Sequence, residues 1–319
     1  MIFMTDVITS DTVASVSLKD LDRDPATFAE ELGNSFVEYG FAIIRDHGIP
    51  QELIDRAEEK SKQFFALPEE VKKKYFLEGK GGARGYTPFG IETAKGHKAF
   101  DLKEFWHVGR ELPPGHKYES SMPPNVWPSE VASFKDTFLE LYDTFDRTGL
   151  KILSAIARFL KLPDDYFVDT VRDGNSVMRL LHYPPQPEPT GEHIRAGAHE
   201  DINTITLLLG AEEAGLELKT RDGRWIPVSP RPGELVINIG DMLQRLTNGQ
   251  LRSTPHRVVN PTPDRASNAR YSMPFFLHFR SDFLIEPLPG TVPEGEEPKW
   301  PPITANEYLQ ERLREIKLV

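Results

Sequence analysis

From Ser176 to Phe279 the chain is a succession of short apolar segments separated by turn residues, a pattern few folds can accept. The segments are Val177 to Tyr183, His199 and Asp201 onward through Leu209, Leu216 to Leu218, Trp225 to Val228, Leu235 to Ile239, Val258-Val259 and Tyr271 to Phe279. Turn pairs separate them at Asp222-Gly223, Pro232-Gly233 and Asn248-Gly249, and Pro261-Thr262-Pro263 precedes the last. Many short strands with frequent turns predict a sandwich or barrel.

Within that run, three residues can share a metal ion. Side chains two apart on a strand share a face, so His199 and Asp201 can grip one ion while Glu200 points away. A second histidine must come from a distant strand, and His256 follows Asp201 by 55 residues in Ser253–Asn260, which reads as turn, then strand. Two histidines and one carboxylate leave about half of an octahedral metal's positions open, as non-haem Fe(II) oxygenases need. Zinc is the main rival metal. Arg270 and Ser272 are also two apart, and the rigid arginine fork suits a carboxylate. Continuing by twos puts Pro274, Phe276 and His278 on their face, and Asn203, two beyond Asp201, is a candidate polar contact to a substrate. His47, His107, His182 and His193 read as structural or surface histidines.

His199-x-Asp201, the distal His256 and Arg270-x-Ser272 fourteen residues later resemble the isopenicillin N synthase-like 2-oxoglutarate/Fe(II) dioxygenases. Gly40–Ile44, Asp46–Pro50, Phe64–Pro68 and Arg84-Gly85-Tyr86 are similar to landmarks of that family's amino-terminal region, so the likeness covers roughly Val16 to Pro289. It implies a mainly β fold with flanking α-helices around a double-stranded β-helix, a distorted jelly roll with the metal at its open mouth. It implies Fe(II) on His199, Asp201 and His256, with 2-oxoglutarate as cosubstrate on Arg270, Ser272 and Tyr183. A small organic substrate would be oxidised by dioxygen, with release of succinate and carbon dioxide. Arg84 and Tyr86 inherit a role at the substrate from their loop, and Phe276 matches a position that lines the pocket. Where many plant-type members carry Asn-x-Tyr, this chain has Leu181-His182-Tyr183. Two alternatives stay open. Isopenicillin N synthase itself uses equivalent residues to hold its substrate without 2-oxoglutarate, and the fold can also serve a non-catalytic small-molecule or metal-binding protein.

The first half carries helical spacing. Apolar positions predict helices over about Asp24–Tyr39, Pro50–Phe65 and, as the longest, Ser129–Leu162, in which Gly149 marks a bend. Phe41–Ile44 reads as a buried strand, Asp101–Gly109 resembles the family's strand into the core, and Pro163–Phe167 opens a short helix. Glu69–Lys74 starts a further helix whose charge run is a solvated face. Lys80–Gly90 is too rich in Gly and Pro for regular structure. In the tail, Ile303–Lys317 opens with Thr304-x-x-Glu307, a capping box, and predicts a closing helix. The expected division is an amino-terminal region over 1–175, the core over 176–290 and the closing helix over 291–319, built as one unit.

Composition narrows the partners. With 38 Lys+Arg against 49 Asp+Glu the net charge is -11 and no basic cluster is dense enough for a phosphate backbone, so nucleic acid is not expected. There is no Cys, which excludes disulfides and thiolate metal sites and suits a reducing cytosol. Met1–Asp6 has no basic stretch leading into an apolar run, and no stretch of ~20 apolar residues occurs, so a soluble cytoplasmic protein away from membranes is expected. Oligomeric state is not encoded in any pattern of this sequence.

Overall fold

The structure, a computed structural model, describes residues 13–78, 83–92, 100–186, 193–209 and 215–315. Met1–Asp6, Lys80–Gly82 and the end of the predicted tail helix at Ile316-Lys317 lie outside them. The first half holds β1 (Ser15–Ser17), α1 (Asp20–Arg23), α2 (Pro25–Glu38), β2 (Phe41–Arg45), α3 (Gln51–Phe65), α4 (Glu69–Lys72), β3 (Gly85–Thr87), β4 (Glu104–Gly109), α5 (Phe134–Phe159) and α6 (Tyr166–Val171). The second holds β5 (Val177–Tyr183), β6 (Ala196–His199), β7 (Ile205–Leu209), β8 (Leu216–Lys219), β9 (Trp225–Pro227), β10 (Leu235–Ile239), α7 (Asp241–Leu246), β11 (His256–Val258), β12 (Arg270–Leu277), β13 (Leu284–Ile285), β14 (Ile303–Thr304) and α8 (Ala305–Glu315). Among the described residues, no helix is long and apolar enough to cross a membrane.

Eight strands form one sheet in the order β1-β2-β10-β7-β12-β5-β4-β3, and four form a second in the order β6-β11-β8-β9. The eight-stranded sheet therefore joins strands from both halves of the sequence. Alternation gives it two faces. Leu207 on β7, Phe275 on β12, Leu180 on β5 and Trp106 on β4 point at the helices, where α2, α3 and α5 complete the main core. Each such side chain contributes about 1.5–3 kcal/mol on burial. The opposite face meets the second sheet: Phe41, Ile43 and Val236 pack on Ala196, Leu216, Leu218, Ile226 and Val258. Two facing sheets with helices on the outer side make the double-stranded β-helix, and the space between them is where a site can form.

Four readings need correction. The segment from His199 to Leu209 is not one strand: β6 ends at His199 in the smaller sheet and β7 begins at Ile205 in the larger. Asp201 thus sits in the crossing between sheets, where no strand alternation holds. The longest helix runs unbroken through Gly149, where a Cβ would lie 2.4 Å from Leu277 Cδ1, so the glycine admits close approach of α5 to β12 and marks no bend. The Lys80–Gly90 loop contains β3, whose Gly85 adopts φ +72 against the Tyr75 carbonyl. Lys72, read as part of a solvated charge run, is buried and paired with Glu104 at 2.7 Å. The capping box does form: Glu307 N donates to Thr304 Oγ1, and Thr304 N and Oγ1 both donate to Glu307 Oε2.

Candidate active site

The mouth between the sheets is built where β6 pairs with β11, with His199 opposite His256. A bulge follows, so that Ala196, three residues before His199, pairs with Val258, two after His256. Such an extra residue re-aims the side chains beyond it. Here it turns His199 toward the same interior as Ala196. The two imidazole centroids lie 4.4 Å apart, and the edge of Phe41 supports the His256 ring at 5.5 Å.

Asp201 completes the group. Its Oδ1 lies 3.9 Å from His199 Nε2 and 3.8 Å from His256 Nε2, and one ligand atom from each residue falls within 4.8 Å of the other two. Each histidine turns Nδ1 to the carbonyl two residues back, Gly197 O at 2.7 Å and Thr254 O at 3.1 Å. A carbonyl can only accept, so Nδ1 carries the proton and the Nε2 lone pair faces the gap. Burial first, then the neighbouring His256, pushes the His199 pKa down to about 4, which keeps that lone pair available at neutral pH.

Asp201 is held from behind. Thr206 Oγ1 and Asn238 Nδ2 donate to its Oδ2 at 2.6 and 2.7 Å, which leaves Oδ1 facing the histidines. Burial alone would raise this carboxyl, but His256, His199 and these two hydrogen bonds hold it below the usual carboxylate range. Two imidazoles with Nε2 turned inward, one anchored carboxylate and backbone partners on the outer nitrogens make a donor set that fits a divalent metal with open positions. Glu200 is not part of this group.

On the same interior face of the larger sheet, Arg270 lies opposite Tyr183 and Ser272 opposite Leu181. The Arg270 guanidinium is buried, its carbon 5.1 Å from the centre of the Tyr183 ring, and Arg195 approaches that ring at 6.0 Å. Phe276 lies opposite Thr206, beside the anchored carboxylate. Two cations around a buried phenol fit an anionic cosubstrate. Arg195 was not singled out from the sequence.

Three candidates fall elsewhere. Tyr86 faces the helices: its ring packs on Phe64 at 5.8 Å and its hydroxyl donates to Glu104. Arg84 is buried against Gly109, where a Cβ would lie 1.9 Å from its guanidinium carbon, and it feels Tyr142 of α5. Asn203 is interior but fully engaged, its Nδ2 donating to Ile205 O at 2.7 Å and Thr206 Oγ1 at 3.1 Å. It braces Asp201 through Thr206. The structural readings of His47, His182 and His193 agree with their bonds to Gly233 O, Glu104 and Phe100 O.

The structure also reveals a buried charge cluster beside His199: Glu92, Asp101, Lys103, Arg179 and His107. Lys103 bridges Asp101 at 2.9 Å and Glu92 at 3.3 Å, and Arg179 binds Glu92 at 3.1 Å. The signal for it was a lone Arg179 in the apolar run Val177–Leu181. Thr206 and Asn238 interrupt apolar strands in the same way.

Residues 13–130 match the model for the non-haem dioxygenase in morphine synthesis N-terminal family, and residues 174–279 match that for the 2OG-Fe(II) oxygenase superfamily. The 2-oxoglutarate-Fe(II) type oxidoreductase hxnY of Emericella nidulans is 34% identical over 295 residues, which covers 89% of this chain and 83% of that protein. A crystal structure assigned to the 2OG-Fe(II) oxygenase family, from Caulobacter crescentus, is 57% identical with a TM-score of 0.89, covering 95% of this chain and 99% of the other. A full-length Neurospora crassa protein, solved in complex with alpha-KG and thymine, is 28% identical with a TM-score of 0.86, covering 96% of this chain and 98% of the other.

Proposed function

This chain belongs to the 2OG-Fe(II) oxygenase superfamily and is a 2-oxoglutarate/Fe(II)-dependent dioxygenase of a small organic molecule, and from that premise we propose which of its residues carry the reaction. His199, Asp201 and His256 hold the iron. Arg270, Ser272 and Tyr183 hold 2-oxoglutarate, and Phe276 lines the substrate pocket. The observation that carries this reading is the convergence of three ligand atoms within 4.8 Å, each turned inward by a bond on its far side.

Held together, Fe(II) and 2-oxoglutarate would activate dioxygen, which is the oxidant; one of its oxygen atoms would oxidise 2-oxoglutarate to succinate and carbon dioxide and the other would serve to oxidise the substrate. The chain's share is positioning and the exclusion of water. Thr206 and Asn238 fix the Asp201 carboxylate, so one oxygen stays aimed at the metal position throughout turnover. Gly197 O and Thr254 O hold both imidazoles in the tautomer that can bind a metal. Arg270 supplies the counter-charge for a cosubstrate carboxylate, and Ser272 adds a hydroxyl from the same face. Phe105, Leu181 and Tyr183 form an apolar cluster along this wall. An intact ligand set disfavours a purely binding role, and the relatives named for 2-oxoglutarate disfavour an oxidase that works without it.

Anaerobic titration of the Fe(II) protein with 2-oxoglutarate tests the assignment, because a 2-oxo acid chelating Fe(II) gives a visible charge-transfer band. A saturable band is expected for wild type and none for Asp201→Ala. Arg270→Gln removes one partner of a buried charge pair, about 2–5 kcal/mol. Its half-saturation should therefore rise at least about tenfold. Full iron occupancy and turnover in Asp201→Ala would sink the assignment.

A further inference from the structure

Arg179 and Glu92 stand on the interior face beside the metal position, and the proposed reaction leaves them without a task. Arg179 lies on β5 opposite His107, and Phe276 lies one strand away on β12. The Arg179 guanidinium carbon lies 4.2 Å from the centre of the Phe105 ring and 5.5 Å from that of Phe276. Its Nε donates to His107 Nε2 at 2.6 Å, and its Nη1 donates to Glu92 at 3.1 and 3.3 Å. Nη2 has no protein partner among the described residues, and the side chain keeps 16% of its surface open. The Glu92 carboxylate accepts only from Arg179 and Lys103 among those residues, and the side chain keeps 18% of its surface open. The cluster is tied to the metal-ligand strand: Asp101 Oδ1 accepts from Gly197 N, two residues before His199, at 3.0 Å, and Lys103 links Asp101 to Glu92.

The charges in this wall cancel: Lys103 and Arg179 face Glu92 and Asp101, all in contact. An approaching carboxylate would meet Glu92 as a like charge, and an ammonium group would meet Arg179 and Lys103. What the wall offers is one donor edge, one acceptor oxygen and two flat apolar rings. We propose that Arg179 and Glu92, framed by Phe105 and Phe276, are specificity-determining residues that select an uncharged planar molecule carrying a carbonyl beside an N–H, such as a lactam, imide or carboxamide. The carbonyl accepts from Arg179 Nη2 and the N–H donates to Glu92. This rests on the dioxygenase reading of the same site. A site built to hydrogen-bond such an edge rejects an analogue that lacks it, because its own buried polar groups are then left unsatisfied.

Three probes separate the possibilities: 2-pyridone, which has the edge; 1-methyl-2-pyridone, which lacks the N–H; and benzoate, which is planar and anionic. Each is titrated anaerobically into the Fe(II)·2-oxoglutarate protein, with binding followed by calorimetry and by the shift of the charge-transfer band. Wild type should bind 2-pyridone at least about tenfold more tightly than either other probe, and Arg179→Leu should lose that preference while keeping the band. Tighter binding of benzoate, no measurable binding of 2-pyridone at its solubility limit, or an unchanged preference in Arg179→Leu would each overturn the proposal. If Arg179→Leu does not fold, the wild-type ranking of the three probes decides alone. Absence of the band in wild type would instead strike at the iron and cosubstrate assignments.

Discussion

Two buried charge networks sit back to back on the same pair of strands, and they differ in what their last bond is made to. On the helix face, Glu104 of β4 accepts from Lys72 at 2.7 and 3.0 Å, pairs with His182 at 2.7 Å, and accepts from the Tyr86 hydroxyl. Lys72 gives a further proton to Phe65 O, and His182 stacks between Phe65 and Tyr271. This network is closed and ties α3, α4, β3, β4 and β5 together. On the interior face, the neighbouring Lys103 starts the other network, which ends on Arg179 Nη2, a donor without a protein partner among the described residues. A fully satisfied buried network rigidifies the fold around it, and the interior network differs in keeping one donor unspent.

The largest expected effect breaks the closed network. Glu104→Ala leaves Lys72 buried without its charge partner, a cost of about 3–5 kcal/mol. Chemical denaturation should show it, with the 2-oxoglutarate band intact in the protein that remains folded. Lys72→Met combined with Glu104→Gln should cost less, because neither charge is then stranded. If Glu104→Ala unfolds at the wild-type midpoint, the network is not a structural tie.

On the interior face the expectation reverses. Thr206→Val keeps the shape of the side chain but removes a donor to Asp201 Oδ2, so the carboxylate loses one of its two anchors. Loss of such a supporting contact weakens metal binding by about 10–100-fold. Fe(II) titration should register this while the denaturation midpoint moves little; unchanged affinity would mean that Asn238 suffices.

A smaller effect is expected at the open network. Glu92→Gln leaves Lys103 paired with Asp101, while Arg179 loses its carboxylate but keeps its hydrogen bond to His107, can bond the new amide oxygen and is partly open to water, so the cost is smaller than at Glu104. Stability should fall by roughly 1 kcal/mol, the net worth of an ordinary hydrogen bond, with the iron and 2-oxoglutarate titrations unchanged. A loss as large as that of Glu104→Ala would erase the distinction between the faces.

The contrast also marks where sequence reasoning succeeds. Helices α2, α3 and α5 and the strands of the core follow from the spacing of apolar residues, which is local information. His199, Asp201 and His256 were legible because chemistry restricts the donor set and the family pattern fixes the spacing. Alternation placed Arg270, Ser272 and Phe276 on the interior face of β12, whereas Asn203, also interior, lies in the crossing between sheets and spends its amide on Ile205 O and Thr206 Oγ1, which no alternation could show. Tyr86 and Arg84 failed for a related reason: which face of β3 meets the helices depends on its register with β4, and nothing within Arg84-Gly85-Tyr86 encodes that register. The Glu92 and Glu104 networks join residues from distant segments, so each acid alone reads as an ordinary charge.

The subtlest way to sharpen the comparison is acid titration. Burial alone would raise the Glu104 carboxyl, but hydrogen bonds from His182, Lys72 and Tyr86 hold it below its ordinary value. Glu92 is likewise held well below, against its burial, by Arg179 and then Lys103. For both, the unfolded chain takes up protons at a higher pH than the folded protein does, since a free glutamate titrates near pH ~4.3. Stability from each is therefore fully present above that value and is lost as pH falls through the depressed folded pKa. Glu104→Gln and Glu92→Gln each remove one such group, so each should flatten the acid limb of a stability-against-pH curve, and the double variant should flatten it further. Above pH ~6 the curves should run parallel, because both carboxyls are then ionised in either state. The discriminating reading is the 2-oxoglutarate band followed through the same acid range: Glu104→Gln should leave its pH dependence at the wild-type form, since that carboxyl faces the helices. If Glu104→Gln keeps the full acid slope of wild type, its carboxyl is not coupled to folding and the closed network is only a set of contacts.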